Sequence, residues 1–270
     1  MLWDISPIAY AFSLGAYHIN IRWYGLFFAS TFLYGILMFR YLFRRENRPP
    51  DEAYDLALFV IGGTVLGARL GHVLLYNPGY YLSHPLKILS VWEGGLASHG
   101  AVAGILIGVW LYSRQATRQS FLYVCDRIGL AVPLSGSLIR IGNFFNSEIL
   151  GTPTDVPWAV VFARADPLPR HPVQLYEAFA YLLIFLFQLR YYLKRGDAGP
   201  EGYLFGRFFV LVFGARFFLE FFKEEQAVFA SGWPLTMGQW LSLPAMLVGV
   251  LLIWQAGRRK QKASGNGAIM

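Results

Sequence analysis

The sequence predicts an all-α, polytopic integral membrane protein with about seven transmembrane helices and a small extracytoplasmic head. Three observations carry this. Of 270 residues, 56% are apolar or aromatic and only 14% charged, whereas an ordinary soluble domain carries roughly 25% charge. The apolar residues gather in runs near the roughly 20 residues that cross a hydrocarbon core. The basic residues lie in short clusters between alternate runs. A formal charge of +7 taken alone would suit nucleic acid, but clusters so placed instead point to membrane topology. A single cysteine excludes a disulfide framework and any thiolate metal cluster.

The spans fall near 22–43, 55–76, 95–112, 121–139, 173–193, 203–222 and 238–256. Arg40, Arg44, Arg45 and Arg48 follow the first span, and Arg114 and Arg118 the third. Arg190, Lys194 and Arg195 follow the fifth, and Arg258, Arg259, Lys260 and Lys262 the seventh. The opposite connections hold only Lys87, Arg164, Arg170 and Lys223. The positive-inside rule therefore places the N-terminus outside and the C-terminus in the cytoplasm. Residues 1–18 lack a basic leader and contain Asp4, so they read as an outer interfacial segment, not a signal peptide. Residues 1–262 form one transmembrane domain. The small, polar 263–270 forms a disordered cytoplasmic tail. The longest stretch between spans, 140–172, is rich in Gly, Pro, Asp and Asn and reads as the outer head, since linkers of this length tend to be functional.

Spans two, four and six run from inside to outside, and each carries an arginine in its outer part: Arg69, Arg140 and Arg216. An arginine in lipid costs at least roughly 2.5–3.5 kcal/mol, so these side chains should face protein or water. Three at similar depth suggest one anion site, although each could snorkel separately to headgroups. His99 begins the third span among Gly94, Gly95 and Gly100, small residues that let backbones approach closely. It reads as a catalytic or as a packing histidine. The run from Arg140 to Gly151 adds Gly142, Asn143, Asn146 and Glu148. Asn143 and Asn146 share a face with Arg140 if the helix continues that far. These groups could bond a polar headgroup, or simply cap a helix end.

Some features look chemical and are set aside. Cys125 lies at the inner end of its span, far from the outer cluster. His18, His72 and His84 fit no metal spacing, and no metal is expected. Trp92, Trp158, Trp233 and Trp240 suit interfacial belts. The turn Gly199-Pro200-Glu201-Gly202 is no phosphate loop. Among function classes, a transporter should show repeated halves and polar breaks near the midplane. A scaffold would not need His, Arg, Asn and Glu massed at one depth.

The segments Arg22-Trp23-Tyr24-Gly25, Gly67-Ala68-Arg69, Glu93-Gly94-Gly95-Leu96 with His99-Gly100, and Arg140-Ile141-Gly142-Asn143-Phe144 through Glu148 and Gly151 resemble the prolipoprotein diacylglyceryl transferases of bacterial inner membranes. So do His171-Pro172-Val173-Gln174-Leu175-Tyr176-Glu177, Arg216-Phe217 with Glu220-Phe221, and Met237-Gly238-Gln239 with Pro244, all in family order. Ile139, Glu93 and Ala101 depart from the usual Gly, Gln and Gly. The resemblance implies transfer of the diacylglyceryl group of phosphatidylglycerol to the lipobox cysteine thiol in the signal peptide of a preprolipoprotein. A thioether forms and glycerol phosphate leaves, with no cofactor.

In that chemistry Arg140 and Arg216 bind the phosphate and neutralise the leaving group. Arg69 holds the headgroup or pairs with Glu220, and the sequence does not choose between them. The thiol becomes thiolate through His99 as base, or by titrating in a positive field. Tyr24, Asn143, Asn146 and Glu148 orient the headgroup glycerol. Gly151, His171, Gln174, Tyr176, Glu177 and Glu220 complete the implied substrate site.

Overall fold

A computed structural model describes residues 1–15, 17–90, 94–117, 119–196, 199–225 and 234–266. Trp92, Glu93 and Trp233, which the sequence singled out, lie outside the described residues. The chain is mostly helical. Helices α1 (Trp23–Arg45), α2 (Glu52–Leu75), α3 (Pro78–Ser83), α4 (Ser98–Gln115), α5 (Phe121–Asn146), α6 (Val173–Arg195), α7 (Tyr203–Leu219) and α8 (Met237–Asn266) follow in order. Each expected span has its helix. Five of them, α1, α2, α5, α6 and α8, are long and apolar enough to cross a membrane. In α4 the polar turn at Ser113–Gln115 dilutes the run, and α7 has only 17 residues.

Three expectations change. The chain is not purely helical: five short strands occur, β1 (Leu2–Trp3), β2 (Ile8–Leu14), β3 (Tyr17–Arg22), β4 (Val160–Phe162) and β5 (Pro169–Arg170). Residues 1–18, expected as an interfacial segment, supply β1, β2 and the start of β3. β2 and β3 pair antiparallel as a hairpin turning at Gly15, whose φ of 61° suits glycine. Helix α5 runs on to Asn146, past the expected end of its span at position 139 and into the stretch read as the head. Helix α8 likewise extends to Asn266, past the expected boundary at Lys262.

The fold comprises two compact units, residues 36–125 and residues 1–35 with 126–270. In the first, α2 and α4 pack backbone against backbone. A Cβ at Gly100 would sit 2.2 Å from the Gly67 carbonyl oxygen, and one at Gly104 2.0 Å from that of Gly63. Small residues spaced four apart on both helices permit this approach, a common solution where lipid supplies no hydrophobic drive between helices.

In the second unit, Trp3, Phe144, Val160 and Phe162 form a buried cluster, with Phe145 and Leu150 packed against it. Strand β4 pairs parallel with β1 and antiparallel with β5, and the Met1 amino group donates to the Ala159 carbonyl at 2.8 Å. The first residues are thereby tied to the head. The buried Asp126 carboxylate accepts the backbone N–H groups of Gly202 and Phe205, each at 2.8 Å. It satisfies orphan donors at the start of α7 from a distant part of the chain. Helix α8 opens with a capping box: Gln239 N–H donates to Thr236 Oγ1 at 3.3 Å, and Thr236 N–H to Gln239 Oε1 at 3.0 Å. The Met237-Gly238-Gln239 segment is thus explained locally.

Candidate active site

The end of α5 builds the centre of the site. The helix ends in a Schellman turn, with Ser147 N–H donating to Phe144 O at 3.1 Å and Glu148 N–H to Asn143 O at 3.0 Å. Ser147 takes the left-handed position usually given to glycine, with φ 55°, and Ile149 follows at φ 58°. Two non-glycine residues in that region store of order 1–3 kcal/mol each, and such strain clusters at functional sites. Its local effect is to fold Glu148 back onto the helix. Asn143 Nδ2 donates to Glu148 Oε2 at 3.2 Å and Asn146 Nδ2 to Oε1 at 3.1 Å, while Arg140 Nη1 donates to Asn143 Oδ1 at 3.3 Å. Four polar groups on one helical face and its turn therefore form a chain. Tyr24 at the start of α1 is within electrostatic reach of both Glu148 and Arg140. Gly142 makes room for it, since a Cβ there would stand 3.1 Å from the Tyr24 ring.

Helix α6 contributes the charge that orients Arg140. Glu177 is fully buried. Its Oε2 lies 2.9 Å from Arg140 Nε as an ion pair whose angle is not that of a hydrogen bond, and its Oε1 accepts from Lys223 Nζ at 2.8 Å. Tyr181, one turn on, lies 3.5 Å from the same Oε1. Lys223 also donates to Glu220 Oε2 at 3.1 Å. Gln174, buried, donates to the Glu148 carbonyl at 2.7 Å, which ties α6 to the strained turn.

Arg216 stands apart from this pairing. It forms no ion pair among the described residues, and its Nε is buried without a hydrogen-bond partner. Both Arg216 and Arg140 act electrostatically on the Tyr181 hydroxyl. A buried orphan donor is costly unless something outside the folded chain satisfies it.

The head backs this cluster. A Cβ at Gly151 would meet the His171 carbonyl oxygen at 2.2 Å, so only glycine fits there. Gly151 also bridges Lys223, and Arg170 Nη1 donates to its carbonyl at 2.8 Å. Arg170 donates as well to Asp166, which holds that carboxyl below its usual range and raises the guanidinium in turn. The Tyr176 hydroxyl accepts from Trp158 Nε1 at 2.7 Å and lies 3.2 Å from His171 Nδ1. Gly151, His171 and Tyr176 therefore form a rim beside Lys223 rather than part of the charged centre.

Arg69 and His99 belong to the other compact unit. Arg69 is 4% exposed, with its donors directed at backbone carbonyls: Nε to Ile88 at 2.9 Å, Nη1 to Gly94 at 2.6 Å and Gly95 at 3.3 Å, and Nη2 to Lys87. Tyr81 covers its face at 5.1 Å. The side chain clamps a loop. Of the two roles the sequence left open, pairing with Glu220 would add to the contact that Glu220 already makes with Lys223 at 3.1 Å. The headgroup role finds most of the guanidinium already engaged. His99 is exposed in the first turn of α4.

Sequence reasoning missed Lys223 and Tyr181. In the sequence Lys223 reads as a stray outer charge, although its spacing three residues after Glu220 is that of an ion pair. Tyr181, four residues after Glu177, was hidden in an apolar run.

The model of the prolipoprotein diacylglyceryl transferase family matches residues 9–255. Phosphatidylglycerol–prolipoprotein diacylglyceryl transferases are similar over nearly the full length. That of Chloroherpeton thalassium is 52% identical over 261 residues, covering 97% of this chain and 96% of the relative. That of Tolumonas auensis is 45% identical over 262 residues, covering 97% and 100%, and that of Bacteroides fragilis 40% identical over 270 residues, covering 96% of each.

Proposed function

We propose that this chain, which belongs to the prolipoprotein diacylglyceryl transferase family, transfers the diacylglyceryl group of phosphatidylglycerol to the lipobox cysteine thiol of preprolipoproteins. The thiolate sulfur attacks the glycerol carbon that bears the phosphate. A carbon–sulfur bond forms, the carbon–oxygen bond breaks, and glycerol phosphate leaves with the electron pair. The observation that supports this best is Arg216: a half-buried arginine with no ion pair among the described residues and with its Nε buried and unpartnered, whereas Arg140 is paired with Glu177. An incoming phosphate would supply the acceptor that Arg216 lacks, and fixed cations there would stabilise charge on the leaving oxygen. Tyr24, Asn143, Asn146 and Glu148 present hydroxyl, amide and carboxylate groups to the glycerol hydroxyls, and Gln174 and Glu177 hold that arrangement in place. The test is incubation of purified protein with phosphatidylglycerol and a lipobox peptide. A peptide mass gain of one diacylglyceryl group is expected, and no gain with intact, folded protein would refute the activity.

All seven long helices cross the bacterial inner membrane in this proposal, with the N-terminus outside, the C-terminus cytoplasmic and the site toward the outer face. Support comes from the thirteen basic residues that mark alternate connections. A reporter fused after Lys262 should be cytoplasmic, and one inserted between residues 152 and 164 should report from outside. Both on the same side would sink the seven-span arrangement.

His99 is proposed as the base that takes the thiol proton. A free thiol ionises near roughly pH 8.5, so His99→Gln should be slowed severely at neutral pH and partly recover by pH 9.5 as thiolate accumulates. A variant-to-parent ratio that stays flat across pH would assign thiol activation to the positive field of the arginines.

A further inference from the structure

Helices α6, α7 and α8 enclose a second polar feature at the other end of α7 from Arg216. A cavity of about 370 Å³ is lined by Phe187, Tyr191, Tyr203, Arg207, Leu211 and Ile253 among others. Its one charged lining group is Arg207, whose guanidinium carbon lies 4.3 Å from the Tyr191 ring centroid, 4.7 Å from that of Phe187 and 5.6 Å from that of Tyr203. Rings at those distances attract the faces of a cation, but they accept nothing from its N–H edges. Arg207 forms no ion pair or hydrogen bond among the described residues. Arg195 reaches the mouth of the same cavity, 3.5 Å from the Tyr191 hydroxyl.

The lining is graded. Tyr203 starts α7 and Arg207 lies one turn in, with Phe187 beside the guanidinium; Leu211, a further turn along, and Ile253 make the rest of the lining apolar. A cation near a basic helix end, with an apolar channel running away from it, matches an anionic phospholipid: phosphate at the guanidinium, acyl chain along the apolar lining. We propose that this groove binds an anionic phospholipid from the leaflet on the basic side of the protein, separately from the substrate. Arg207 and Arg216 are nine residues apart, roughly 13 Å along a helix axis, so one headgroup cannot occupy both. Assignment to the cytoplasmic leaflet rests on the topology proposed above, whereas the groove itself does not.

The test uses detergent-purified full-length protein and thermal unfolding with added dioleoyl phosphatidic acid or dioleoyl phosphatidylcholine. The parent should be stabilised by phosphatidic acid and not by phosphatidylcholine, because a ligand that binds only the folded state raises its melting midpoint. Arg207→Gln should weaken the apparent affinity for phosphatidic acid by at least about tenfold, since an amide keeps hydrogen bonding but loses the charge. Arg216→Lys removes whatever response the substrate site contributes, and the response that remains should still be lost when Arg207→Gln is added. A second variant, Leu211→Trp, fills the apolar part of the groove while keeping Arg207, and should lose the response as well; it decides the matter if Arg207→Gln does not fold. Equal stabilisation by both lipids, or an undiminished response in the folded Arg207 or Leu211 variant, would overturn the proposal. Detergent has no sidedness, so reporters that reverse the topology would change the leaflet and leave this result standing.

Discussion

Arg216→Lys is expected to lose at least about 100-fold in the rate of peptide lipidation at saturating lipid, with expression and gel-filtration behaviour unchanged. The reason lies in what Arg216 lacks. Arg140, Lys223, Glu177 and Glu220 neutralise one another within hydrogen-bonding distance, whereas the Arg216 Nε is buried and unpartnered. Lysine keeps the charge but places one rounded ammonium where a planar fork could meet two phosphate oxygens, so the change separates charge from geometry. Arg140→Lys should fail for a different reason. Arg140 uses Nε toward Glu177 and Nη1 toward Asn143, and a lysine cannot span both while also meeting a phosphate. Rates in lipid titrations should fall in both variants through turnover and lipid affinity together. Near-parent turnover in both would show that neither guanidinium meets the leaving phosphate.

The legible part of this protein is the part written in apolar runs. Seven runs located seven helices, and five of these are long and apolar enough to cross a membrane, where lipid leaves a segment few alternatives to the helix. Errors arose where polar residues continued a helix. The expected end of the fourth span at position 139 was set by the arrival of Arg140, Asn143 and Asn146; the helix persists because those side chains bond Glu148 and Glu177 instead of water. Its true stop carries no sequence sign, since serine stands where a glycine would have signalled the turn. The β2–β3 hairpin was readable in retrospect, with apolar residues alternating from Ile8 to Phe12 and again at Ile19 and Ile21 around Gly15. A search for membrane runs passes over that period. The pairing of β1 with β4 joins residues more than 150 positions apart, and nothing local encodes it. Arg69 shows the converse limit: the sequence marks an expensive intramembrane cation without revealing that backbone carbonyls would engage it.

Replacing Glu177 should be as damaging as replacing an arginine, in a way that separates stability from orientation. Its carboxylate is fully buried between Arg140 Nε and Lys223 Nζ. Glu177→Gln keeps the volume and one acceptor oxygen, but turns an amide N–H₂ toward a cation and leaves a buried positive charge uncompensated. Breaking one side of a buried pair in this way costs roughly 3–5 kcal/mol, which should lower the melting midpoint by about 10 °C in a chain of this size. Turnover should fall by about 100-fold as well, since displacement of the reacting groups by about 1 Å can cost that much. The double variant Glu177→Gln with Lys223→Met removes the surplus charge and should recover most of the lost thermal stability. Activity should not return with it, because Arg140 still lacks the carboxylate that aims its fork. If the double variant regained parent turnover, Glu177 would be no more than a counter-ion for Lys223, and the orientation of Arg140 would have to come from Asn143 alone.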